Sequence, residues 1–203
     1  MEHQMNTLHQ TRRHFFRDCG VGVGKIALAG LLGEGAVRAA DVTSPAARAD
    51  VHRRRAAAEA IIVGTGTVFS DDPTLTARPA DGTEVTRQPL RVVVGHREIP
   101  GDARVLNDDA STMVIRTHDP EEVLRALGDR TDVILEGGPT LAGAFLRAGA
   151  IDRILAYVGP ILLGGPIMAV DDVGVPTIAR ALRWSYDGVE RIGPDLLLSL
   201  VPG

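Results

Sequence analysis

The chain of 203 residues has a single lysine, Lys25, and a single cysteine, Cys19. Without lysine after position 25, residues 40–203 can form neither a Schiff base nor a P-loop, and cationic work there falls to arginine. One cysteine excludes an intrachain disulfide, a CxxC redox pair and a thiolate zinc cluster. His52, His96 and His118 are scattered without ligand spacing, so no metal is expected. Aromatic residues amount to only 3%, are not interleaved with basic clusters, and accompany a net charge of −4, which argues against a nucleic-acid partner. No stretch reaches the roughly 18–20 apolar residues of a membrane-spanning helix. What remains, 44% hydrophobic and 24% charged, is the balance of a globular domain with an ordinary core.

The first forty residues differ from the rest. Residues 1–39 hold five basic and three acidic groups, which leaves the remainder at −6. Thr11 to Phe16, TRRHFF, resembles a twin-arginine export signal, Gly20 to Gly33 is moderately apolar and glycine-rich, and Ala36 to Ala40 ends in small residues suited to cleavage. Lys25 and Glu34 interrupt the apolar run, and a basic N-terminal helix or extension is the plain alternative. The expected division is therefore 1–40, leader or extension, and 41–203, folded domain.

From Asp41 the pattern alternates. Ser44 followed by Pro45 predicts the cap and first turn of a helix to about Glu59. Strands are expected at Ala60–Val63, Leu90–Val94, Thr112–Ile115, Asp132–Leu135 and Ile151–Val158, and helices at Pro120–Leu127 and Pro139–Ala148. Two further strands, Arg183–Val189 and Leu196–Leu200, pair through a turn at Gly193-Pro194. This order implies an α/β fold: a mainly parallel sheet with helices on both faces and antiparallel strands at its C-terminal end.

Two blocks carry chemistry. In LEGGPTLAGA (Leu135 to Ala144) a buried strand ends in Glu136, Gly137 and Gly138 allow a sharp turn and a close ligand, and Pro139 opens a helix. A helix start of that kind suits a phosphate. GTGTVFSDDPTLTAR (Gly64 to Arg78) follows another strand and supplies hydroxyls at Thr65, Thr67 and Ser70, carboxylates at Asp71 and Asp72, and the Arg78 fork. Singly, each is equally a turn or a cap.

Together, and with Ser44 to Arg55, the PLRVVV strand (Pro89 to Val94), Ile151 to Gly165 and Gly193 to Leu200, these blocks resemble the reductase domain of bifunctional riboflavin-biosynthesis deaminase-reductases. The resemblance runs from near Thr43 to about Val201. It implies a dihydrofolate-reductase-like fold and NADPH-dependent reduction of 5-amino-6-(5-phosphoribosylamino)uracil to its ribitylamino product, in the cytoplasm and as a homodimer. By motif, it implies that Thr67 and Asp71 contact NADPH and that Gly138, Pro139, Thr140, Leu141, Ala142, Gly143 and Ala144 cradle its phosphates. Arg55, Leu75, Arg78 and Glu136 fall at substrate positions: Arg55 and Arg78 suit the 5′-phosphate, and Glu136 the pyrimidine or a ribose hydroxyl. For Arg55 the alternative is a solvated helix face beside Arg53 and Arg54. No residue is assigned as the proton donor.

The chain also departs from that family. Its opening strand motif, with a lysine and an aspartate, has no counterpart here, and the zinc-cysteine pattern of the deaminase is missing, Cys19 being the one cysteine. The sheet is expected to lack the family's first, interior strand. Three readings follow: an enzyme with an altered N-terminus, active or weakly active; a non-catalytic relative that binds a dinucleotide or dimerises; and an exported protein whose leader was joined to a reductase fragment by gene fusion or a mistaken start.

Overall fold

The computed structural model describes residues 20–22, 42–78, 85, 87–162 and 169–203. The twin-arginine motif and the cleavage-like residues lie outside them. The elements are β1 (Gly20–Gly22), α1 (Pro45–Ala57), β2 (Ala60–Gly64), α2 (Thr65–Asp71), β3 (Leu90–Val94), β4 (Thr112–Ile115), α3 (Pro120–Leu127), β5 (Val133–Leu135), α4 (Pro139–Arg147), β6 (Arg153–Val158), β7 (Trp184–Ile192) and β8 (Asp195–Pro202). No described helix is long and apolar enough to cross a membrane.

One sheet runs in the order β4-β3-β2-β5-β1-β6-β8-β7. The strands from β4 to β6 are parallel, and β8 is antiparallel to both β6 and β7. The C-terminal hairpin thus forms as expected, turning at Gly193 with φ +61°. Strand β2, and β3 apart from Arg91, read as apolar runs because both faces of the sheet are covered. On one face Ile62, Val92, Val94 and Leu135 pack with Val123 and Leu127 of α3 and Phe145 of α4. On the other, Ile61, Val63 and Val93 pack with Val68 of α2, Leu75 and Val105. Ala47 of α1 meets Leu155, Tyr157 and Leu197 farther along the sheet.

The expectation of an open interior position needs correction. Gly20, Val21 and Gly22 occupy it, with Gly20 opposite both Ile134 of β5 and Arg153 of β6. An empty slot would leave two rows of backbone groups unpaired, and these three residues pair with Ile134 and Leu135 on one side and Arg153 to Leu155 on the other.

Helix α1 begins as predicted. The Ser44 hydroxyl accepts from Ala47 N at 3.2 Å, and Ser44 N donates to the buried Asp195 carboxylate at 2.7 Å. Helix α2 was not predicted. A glycine and three β-branched residues give its seven positions little intrinsic propensity, and burial of Val68 against the sheet holds it.

Candidate functional site

The chain leaves β2 toward β3 and β4, whereas β5 returns to β2's opposite side. The carboxyl ends of β2 and β5 therefore flank a topological switch point, where open parallel sheets form their ligand crevice. Both chemical blocks begin there. A Cβ added at Gly138 would lie 3.8 Å from the Thr67 hydroxyl, and one at Gly64 3.9 Å from Leu141. A side chain at Gly137 would sit 2.7 Å from Leu141 Cδ2, so that leucine would have to shift to admit one. Gly95, at the end of β3 with φ +136°, closes over Thr65 so tightly that a Cβ would stand 2.6 Å from its hydroxyl.

Gly138 caps α4 without a side chain, so the helix begins with uncapped N–H groups beside Thr67. Thr67 and Asp71 are four residues apart on α2 and share a face. The expected cradle of Gly138 to Ala144 is shorter than the motif. Ala142 belongs to the core, and Gly143 lies beneath a strap, where a Cβ would meet Asp171 O at 3.2 Å. That strap is fastened by Asp171 N to Pro139 O at 3.1 Å and by the Thr140 hydroxyl to Asp171 Oδ2 at 3.2 Å.

The substrate-side residues also converge. Arg55 is not on a solvated helix face. Its Nε and Nη2 donate to Glu136 Oε1 and Oε2 at 2.7 and 2.5 Å, and both side chains are only 7% exposed. Burial works against the Arg55 charge, but Glu136 more than offsets it and holds the guanidinium above its ordinary value. Since Glu136 occupies that fork, Arg55 does not present it to a phosphate as expected from sequence. Arg55 Nη1 also reaches Thr76 O at 3.3 Å, which ties α1 to the loop carrying Leu75 and Arg78. Leu75 is buried with φ +53°, a left-handed backbone that a branched residue keeps only where its surroundings impose it. Arg78 N donates to His52 Nδ1 at 3.2 Å, and its guanidinium is exposed, with no ion pair among the described residues.

Asp72 has the plain role expected of a turn: with φ 41°, it accepts from Arg104 N at 2.8 Å. Sequence reasoning missed the buried Asp50, which accepts from Tyr157 Oη, Arg54 Nε and Arg53 Nη2 and ties α1 to β6. The signal was present, since Arg53 and Arg54 stand three and four residues after Asp50. Burial raises the Asp50 pKa, but these donors outweigh it and hold the carboxyl below its usual value. Burial, then the bond to Asp50, pushes the Tyr157 phenol up.

Residues 28–198 match the RibD C-terminal domain family, a match that begins upstream of Thr43. The riboflavin biosynthesis protein RibD of Mycobacterium tuberculosis (strain ATCC 25618 / H37Rv) is 74% identical over 160 residues, covering 79% of this chain and 47% of the relative. RibD of Acinetobacter baumannii (form 1) superposes with a TM-score of 0.77 at 29% identity, over 92% of this chain and 57% of that one. A Thermotoga maritima diaminohydroxyphosphoribosylaminopyrimidine deaminase/5-amino-6-(5-phosphoribosylamino)uracil reductase has the same fold, with a TM-score of 0.71 at 24% identity over 95% and 58% of the two chains. The chain spans about half the length of the curated relatives it matches.

Proposed function

The chain belongs to the RibD C-terminal domain family, and from that premise we propose that it reduces 5-amino-6-(5-phosphoribosylamino)uracil to the ribitylamino product with NADPH. The observation that carries this reading is the meeting of two glycine-hydroxyl corners at the switch point, beside the Arg55–Glu136 pair. The residues fit a dinucleotide: Gly138 leaves a cradle that a Cβ would narrow toward Thr67, and the α4 N-terminus has no side-chain cap. The backbone of Gly138 to Leu141 would hold the phosphates, with Thr67 and Asp71 beside them. NADPH, when bound, supplies the hydride.

On the substrate side, Arg78 takes the 5′-phosphate through its free fork. Arg55 fixes the Glu136 carboxylate, which accepts from the pyrimidine or a ribose hydroxyl. Leu75 forms an apolar wall. These groups bind and orient, which is the part of hydride transfer that falls to protein.

The short β1 favours a second reading, a relative that binds the dinucleotide without turnover. Titration with NADPH and NADH, followed by nicotinamide fluorescence and then by oxidation on adding the pyrimidine phosphate, separates the two. The enzyme reading expects tighter binding of NADPH and substrate-dependent oxidation. Binding without oxidation supports the second reading, and no binding at millimolar concentration overturns both.

Homodimerisation, as the family resemblance implies, fits the exposed Tyr186 and Val189 of edge strand β7 and is checked by sedimentation. We assign the reaction to the cytoplasm, the compartment of its cofactor and substrate. Export of a reporter fused after Ala40, abolished by Arg12→Lys with Arg13→Lys, would overturn that assignment.

A further inference from the structure

Arg91 lies at the second position of β3, between Ile61 of β2 and Thr112 of β4, and is fully buried. The period of the strand puts it on the same face as Val93, the face that packs against Leu75. A lone arginine in a run of valines is costly to bury, and among the described residues no carboxylate forms an ion pair with it. Its guanidinium instead gathers neutral acceptors from two loops. Nη1 donates to Asn107 Oδ1 at 2.7 Å and to Thr74 O at 3.3 Å, and Nη2 donates to Asn107 O at 2.5 Å and to Ala110 O. Asp109 accepts from the Asn107 amide at 2.8 Å and so steadies the far side of the cluster.

The Thr74 carbonyl belongs to the peptide plane that enters Leu75. Rotation of that plane about the N–Cα bond of Leu75 is φ itself, so a donor fixed to this oxygen opposes the return of φ from +53° to the ordinary negative region. The Leu75 side chain is held in turn by Val63, Val93 and Val105. The same loop bears Arg78 three residues later.

We propose that Arg91 is a positioning residue for the substrate loop: through the Thr74 carbonyl it keeps Leu75 in its left-handed conformation and so sets where Leu75 and Arg78 meet the pyrimidine phosphate. The proposal rests on the substrate reading given above. Arg91 touches neither ligand.

Arg91→Lys keeps the charge and loses the planar fork, so it cannot serve both loops. Its expected effect is a KM for the pyrimidine phosphate raised roughly tenfold or more, the scale on which small misplacements act, with NADPH affinity unchanged. Asn107→Ala leaves β3 intact and loosens the same guanidinium, and gives a smaller rise in the same direction even if the lysine variant fails to fold. Hydrogen exchange supplies a readout that needs no turnover. The Ala77 and Arg78 amides, which donate to Gln88 Oε1 and His52 Nδ1, lose protection in the folded variants, while Ile62 and Val92 keep theirs. An unchanged KM with unchanged loop protection, or a uniform loss of protection across the sheet, overturns the proposal and reduces Arg91 to packing. If the wild-type protein does not turn over the pyrimidine phosphate, the substrate reading fails, and the exchange experiment still decides whether Arg91 holds the loop.

Discussion

Adjacent arginines on α1 enter two different ion clusters. Arg55 meets the Glu136 carboxylate and the Thr76 carbonyl, with the Arg55 and Glu136 side chains both 7% exposed. Arg54 shares Asp50 with Arg53 and Tyr157, toward β6, and the two arginines are 37% and 64% exposed. The first cluster is a dry pair in which each charge is buried against its opposite. The second is a wet network with one buried acceptor and several donors, any one of which water can replace in part. Burial makes a charge pair indispensable without making it strongly stabilising, and redundancy makes a network tolerant.

Removing one partner of the dry pair tests this contrast most severely. Glu136→Ala leaves Arg55 buried without a counter-charge and should cost about 3–5 kcal/mol in a urea unfolding midpoint, with little relief from salt. The milder Glu136→Gln should weaken the pyrimidine phosphate by about 1.5–3 kcal/mol and leave NADPH nearly untouched. Equal losses for both ligands would reduce Glu136 to a strand-end cap.

In the wet network, Asp50→Asn should cost about 1.5–3 kcal/mol at neutral pH. Because the folded carboxyl titrates below 3.8, the Asp50 contribution is complete above that value and is lost as pH falls through the folded pKa. Unfolding curves of wild type and variant should therefore differ at pH 7 and converge below pH 3.8. A gap that persists in acid would mean that shape, not charge, holds α1 to β6.

The smallest expected change is at the other end of the same helix. Ser44→Ala removes the hydroxyl that accepts from Ala47 N and should cost about 1 kcal/mol, independent of pH between 5 and 9. A much larger loss would show that the cap, rather than either ion cluster, governs how α1 docks.

The parallel strands were legible because apolar runs such as Ile61–Val63 and Val92–Val94 have few other uses, and the Ser44-Pro45 start is a local signal that tertiary contacts reinforced. Helix α2 was not legible, since its support comes from Val68 meeting the sheet and from Gly95 closing on Thr65, contacts that span distant segments. The position of β1 was missed for a similar reason: Gly20-Val21-Gly22 reads as part of a leader until strands β5 and β6 leave a slot beside it. Resemblance pointed to Arg55 and Glu136 separately. That they bind each other follows only from the juxtaposition of α1 with the end of β5, 81 residues away in sequence. The strap over Gly143 was equally hidden, because its contacts join residues about thirty positions apart.

The link between Ser44 N and Asp195 joins residues 151 positions apart, and Asp195 is almost wholly buried. During synthesis, α1 leaves the ribosome long before the acceptor that completes its first turn exists. At about 5–20 residues per second the wait lasts on the order of ten seconds, with an apolar face of α1 awaiting β8. The last described strand therefore acts as a latch on the first described helix. A chain stopped before Asp195 would have most of its sheet and no means of closing it.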